Sequence, residues 1–137
     1  MRQPVKWLCL SLLLAVPAGA DIAPPPDQGP ASASAAGLDF ALQSRQVRMP
    51  PGYYKTYPVV VLTGCTEGTA NCKLAHAKNL IGMEVSTVDG SFLQPQIGRV
   101  QQIVNAFTSK SGPKTVTLEL YSRDTSDKPF TVSFAKQ

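Results

Sequence analysis

The sequence is poor in the residues that do chemistry. His76 is its only histidine, and neither a G-x-S-x-G elbow nor an H-E-x-x-H pair occurs. Ser–His hydrolysis and two-histidine metal catalysis therefore lack their parts. The carboxylates Glu67, Glu84, Asp89 and Glu119 stand apart in sequence and can meet only through folding. Basic residues are scattered singly, so no stripe marks a nucleic-acid or anionic-membrane surface. No apolar run reaches the roughly 20 residues that span a bilayer, and no internal repeat is present. These absences lead to the expectation of a non-enzymatic protein with no cofactor, no metal, no nucleic-acid partner and no membrane span once its leader is removed.

That leader is read in residues 1–20. Arg2 and Lys6 give a positive start, WLCLSLLLAV (7–16) an apolar core, and Ala18-Gly19-Ala20 a cleavage pattern, with Asp21 as the mature start. A retained anchor is the alternative, and the shortness of the run argues against it. Cys9 lies inside the apolar core, too early for lipid attachment. Loss of Arg2 and Lys6 lowers the formal charge from +4 to +2. The expected location is periplasmic or secreted, where Cys65 and Cys72 are expected to pair across CTEGTANC. A bridge over so short a loop adds at most about 2–3 kcal/mol and acts as a local staple.

Residues 21–36 (DIAPPPDQGPASASAA) have one aliphatic side chain larger than alanine. Such a stretch cannot offset its ordering entropy by burial, so a flexible tether is expected. The folded unit is then 37–137, one domain of about a hundred residues. Within it, LDFALQSRQV (38–47) alternates with period two, RMPPGYY (48–54) is a turn-rich loop, and YPVVVLTG (57–64) is a buried strand. A short helix is expected over 72–80 and a strand over 83–88 before Asp89-Gly90. The clearest helix follows Pro95: Ile97, Val100, Ile103, Val104 and Phe107 form one apolar stripe. Two alternating strands, 115–122 and 130–136, close the chain as a hairpin around RDTSDKP (123–129). The predicted class is α+β: a small antiparallel sheet or partial barrel of five to six strands with two helices.

Four segments, in this order, resemble a PDZ domain. GLDF (37–40) is similar to that family's GLGF carboxylate-binding loop. NCKLAHAKNLIGMEVSTVDG (71–90) is similar to its short helix and following strand, IGRVQQIVNAF (97–107) to its long helix, and KTVTLELYSRDTSDKPFTVSF (114–134) to its closing hairpin. The resemblance implies a peptide-binding groove between strand 38–44 and helix 97–107, which takes a chain terminus or extended segment by strand addition. Carried over, Leu38, Asp39 and Phe40 would offer N–H groups to a carboxylate. Phe40 and Leu42 would floor the groove, and Ile97, Gln101 and Val104 would line its helix side. Leu80 would plug the core, Gly82 would turn the backbone, and Asp89-Gly90 would turn ahead of the long helix. Asp39 departs from the family's glycine. A carboxylate there repels a bound carboxylate by about 1 kcal/mol at ~4 Å in bulk water. Either Asp39 points away, or the groove takes an internal segment, or it is vestigial; weak binding of terminal peptides is expected.

Two further constellations stand out. Cys72 and His76 are four apart and with Cys65 suggest half a zinc site, but no fourth ligand is apparent and a disulfide with a surface histidine is the simpler reading. Tyr53, Tyr54 and Tyr57 lie in the loop region 48–57, where rigid rings with polar tips suit a protein partner, although they would equally pack on their own sheet. The alternative to a groove-binding module is thus a small periplasmic enzyme inhibitor or immunity-type protein acting through this Tyr-rich loop, and a third class is an envelope-assembly subunit. A module predicts an open groove. An inhibitor predicts a protruding loop and a filled groove. An assembly subunit predicts a large apolar face.

Overall fold

The structure is a computed structural model, and it describes residues 26–122 and 128–136. Its elements are β1 (Ser32–Ala35), β2 (Leu38–Met49), β3 (Tyr53–Cys65), α1 (Ala70–Ala77), β4 (Glu84–Val88), β5 (Ser91–Phe92), α2 (Arg99–Thr108), β6 (Thr115–Tyr121) and β7 (Phe130–Ala135). The strands form one antiparallel sheet in the order β1-β2-β3-β4-β6-β7, with β5 folded back on β4. This is the expected α+β class, with seven strands in place of five to six. The leader, 1–20, and the turn residues 123–127 lie outside the described residues.

The alternation read in the sequence sets the sheet's inner face. Leu38, Phe40, Val60, Leu62, Val116, Leu118, Leu120 and Phe134 are all buried, as a half-buried strand's period of two requires. Helix α2 closes the core with Val100, Ile103 and Phe107, and the Phe40 and Phe107 rings lie 6.3 Å apart. The helix begins two residues later than its stripe suggested, because Gly98 takes φ +98° and serves as its N-cap. Ile97 therefore falls before the helix and is 45% exposed.

Helix α1 starts where Thr69 accepts a hydrogen bond from the Cys72 N–H at 3.2 Å, an N-cap. It packs on β3 and β7. Leu80 is buried below it, and Gly82, at φ +96°, turns the chain so that its N–H reaches the Leu62 carbonyl. Asp89 and Gly90 both have positive φ, the backbone of a two-residue hairpin turn between β4 and β5. Asn71 is buried. Its amide donates to the carbonyls of Ala36 and Ala135 and accepts from the Ala135 N–H, so it ties the β1–β2 turn to the end of β7.

The segment expected to be a free tether is, from Pro26 onward, part of the fold. Asp27 accepts from the Arg99 N–H at 3.1 and 3.2 Å and pairs with the Arg99 guanidinium at 3.1 Å. It thereby supplies the side-chain cap that Gly98 lacks, from 72 residues away. The Gln28 N–H donates to the Pro95 carbonyl. Gly29 and Gly98 pack so closely that a Cβ on Gly98 would lie 2.6 Å from the Gly29 Cα. Backbone hydrogen bonds and a buried charge hold this segment in place of the apolar bulk it lacks.

Candidate functional site

The groove expected between strand 38–44 and helix 97–107 contains β1. This strand pairs with β2 in the register Ser32↔Ala41, Ala33↔Phe40, Ser34↔Asp39 and Ala35↔Leu38. The pairing is extended by a hydrogen bond from the Leu42 N–H to the Ala31 carbonyl. Helix α2 packs against β1 as well. The edge from Leu38 to Leu42 is thus occupied by the chain's own residues, and the open groove is corrected to a filled one. GLDF does not form a loop around an anion. Ala36 and Gly37, at φ +50° and +82°, make the tight turn from β1 to β2, and the Gly37 carbonyl accepts from the Thr66 N–H.

The individual groove residues follow from this. Leu38 and Phe40 are fully buried core side chains, and Leu42 is half-buried against that core. Asp39 points to a neighbour within the sheet, accepting from the Ser34 hydroxyl of β1. On the helix side, Gln101 donates to the Asn105 side chain at 2.8 Å, Val104 packs on the core, and Ile97 lies off the helix. The three do not converge on one open wall.

What projects instead is the β2–β3 hairpin. The sequence suggested a loop over 48–54; in the structure both strands run on, and only Pro50, Pro51 and Gly52 form the turn. Among the described residues no other strand pairs with Ser44–Met49 or with Tyr53–Val59. The resulting two-stranded arm extends about 20 Å beyond Ser44 and Pro58. Cross-strand partners share a face, so Met49/Tyr53, Val47/Lys55 and Arg45/Tyr57 lie on one side. Arg48/Tyr54, Gln46/Thr56 and Ser44/Pro58 lie on the other, in line with the core-facing pairs.

The three tyrosines, expected as one patch, are therefore split between the two faces. Tyr53 and Tyr54 are 55% and 61% exposed and Tyr57 is 36% exposed, so they do not fold down on their own sheet. The Lys55 ammonium sits 5.3 Å from the Tyr57 ring centroid, within cation–π range. Arg45 anchors the base of the arm by pairing with Glu84, which is buried, at 3.3 Å. From Gln43 to Thr63 the arm carries Arg45, Arg48 and Lys55 and no Asp or Glu. A cleft at its base is lined by Pro26, Asp27, Leu42, Ser44, Thr56 and Pro58, with Arg99 beside them.

The expected disulfide is present: Cys65, at the end of β3, bonds Cys72, in the first turn of α1, with the Cα atoms 5.2 Å apart. Sequence reasoning missed three participants: Asp27, the length of the arm, and Glu67, which lies against both Cys72 and His76. Glu67 had a signal, two residues from Cys65 in the same short loop. Asp27 had none, because its partner is remote in the chain. No helix among the described residues is long and apolar enough to cross a membrane. No protein-family model, curated protein or solved structure matches this chain.

Proposed function

We propose that this chain is an exported, non-catalytic protein-binding protein that engages its partner through the β2–β3 arm. One observation carries the reading: a projecting ribbon whose two edges are unpaired among the described residues, with exposed tyrosines on both faces and only positive charges, beside a groove already filled from within. Unpaired ribbon edges accept or donate strands. Exposed tyrosines supply contact area at small entropic cost. Arg48 and Lys55 near the tip fit an acidic partner surface and would speed encounter with it. A filled groove with a protruding arm is the pattern of the inhibitor or immunity-type alternative. The PDZ-like reading is retained for the scaffold, where the order of strands and helices supports it, with the peptide's place taken by β1. The Cys65–Cys72 bond accords with an oxidising compartment.

The test replaces residues 46–56 by Asn-Gly, shortening the arm on its own register. The expected protein unfolds cooperatively like the parent, since the removed residues lie outside the core, but no longer retains the partner captured by the full chain from envelope extract. Tyr53→Ala with Tyr54→Ala should weaken that complex by about 2 kcal/mol or more if these rings are anchors, while Gln101→Ala leaves it intact. Full retention by the shortened protein would remove the reading.

A further inference from the structure

Around the disulfide, four side chains of different chemistry converge. The ligand atoms of Cys65, Glu67, Cys72 and His76 all lie within 4.8 Å of one another. His76 Nε2 is 3.6 Å from Cys65 Sγ and 3.2 Å from Glu67 Oε2, and Glu67 Oε2 is 3.4 Å from Cys72 Sγ. A tetrahedral zinc ion with Zn–S near 2.3 Å and Zn–N or Zn–O near 2.0–2.1 Å has S···N and S···O edges of about 3.5–3.6 Å and an N···O edge of about 3.3–3.4 Å. Three of the six edges already match that tetrahedron to within about 0.2 Å, and the other two sulfur-to-ligand edges lie within 4.8 Å. The sulfur–sulfur edge does not match: the two sulfurs are bonded to each other, where zinc needs them about 3.8 Å apart.

We propose that Cys65, Glu67, Cys72 and His76 form a zinc site that opens when the disulfide is reduced. A dithiol supplies two electrons and two protons, the S–S bond breaks, two thiols form, and the dithiol leaves as its own disulfide. Zinc then binds both sulfurs as thiolates and releases two protons to solvent. The chelate closes the same loop that the disulfide closes. Glu67 and His76 are exposed, with side chains 84% and 58% accessible, so the cluster meets solvent on their side, while Cys72 is buried. The consequence is a loop held shut in either redox state: by a covalent bond when oxidised, by a metal when reduced. That loop carries the Thr69 cap of α1 and Asn71, which ties the β1–β2 turn to β7, so its closure bears on the whole molecule.

The full chain, reduced with a phosphine that becomes its oxide by taking oxygen from water, is titrated with Co2+ in the absence of oxygen. The expected result is one ion per chain, with the visible bands of tetrahedral cobalt and a thiolate-to-metal charge-transfer band, both lost on adding Zn2+. The unreduced protein should show neither. Losing an outer-sphere partner of a metal ligand already costs about 10–100-fold in affinity, so Glu67→Gln and His76→Ala, each losing a ligand, should each cost at least about 100-fold. As a second readout, Zn2+ should raise the Tm of the reduced wild type and not of these variants. Reduced protein that binds no tetrahedral cobalt overturns the proposal. So do Glu67→Gln and His76→Ala variants that bind as tightly as wild type, which would indicate a two-cysteine chelate only.

Discussion

At the residue scale, Asp27 does the most with the least sequence signal. Its carboxylate is 6% exposed, accepts from the first N–H of α2 and faces the Arg99 guanidinium. Asp27→Ala removes a cap and leaves a half-buried cation unpaired, so chemical denaturation should report a loss of about 2–4 kcal/mol. Asp27→Asn keeps an acceptor for the Arg99 N–H and loses only the charge, so it should fall between alanine and wild type. An Asp27→Ala protein as stable as wild type would mean that the N-terminal segment is held by its backbone bonds alone. Such a cap is not legible in sequence, because the rule for caps looks to the residue next to the helix. There the sequence has Gly98, which offers no side chain.

At the element scale, what was legible is what the hydrophobic effect writes with a period. Helix α2 was found because Val100, Ile103 and Phe107 recur on one face, and β6 because Val116, Leu118 and Leu120 alternate. Strand β1 was missed for the converse reason. SASA has no large apolar residue to alternate, and it is a strand because β2 offers it hydrogen bonds and small side chains fit beneath α2. The arm is longer than the turn-rich composition of RMPPGYY (48–54) suggests, because Pro50-Pro51-Gly52 turns the two strands without breaking them. Gly98 gives the corresponding element-scale prediction. Its φ of +98° disfavours any side chain, and a Cβ would collide with the backbone of Gly29. Gly98→Ala should therefore lower Tm and loosen the 26–31 segment together, read as faster amide exchange at Gln28 and Leu42, whose N–H groups bond Pro95 and Ala31. Unchanged exchange at both would show that the two glycines do not fasten the segment.

At the scale of the whole molecule, the boundary of the folded unit decides how the site is read. If the domain began at 37, as its composition suggests, β2 would present a bare edge beside α2 and the molecule would be a strand-accepting module. Since Asp27, Gln28, Gly29 and β1 are built into that cleft, the chain's own residues take up the edge that a strand-accepting module would leave open, and the proposed function rests on the arm. This makes a truncation informative. A protein beginning at Gly37 should lose stability, and its uncovered edge should either pair with a second copy or accept a synthetic peptide of residues 26–36. The peptide should restore the lost Tm with a saturable dose dependence. The same peptide carrying Asp27→Ala should bind more weakly, because it cannot cap α2. A truncated protein that is as stable as the full chain, stays monomeric and ignores the peptide would show that β1 merely rests on β2, and would return the groove to candidacy as the binding site.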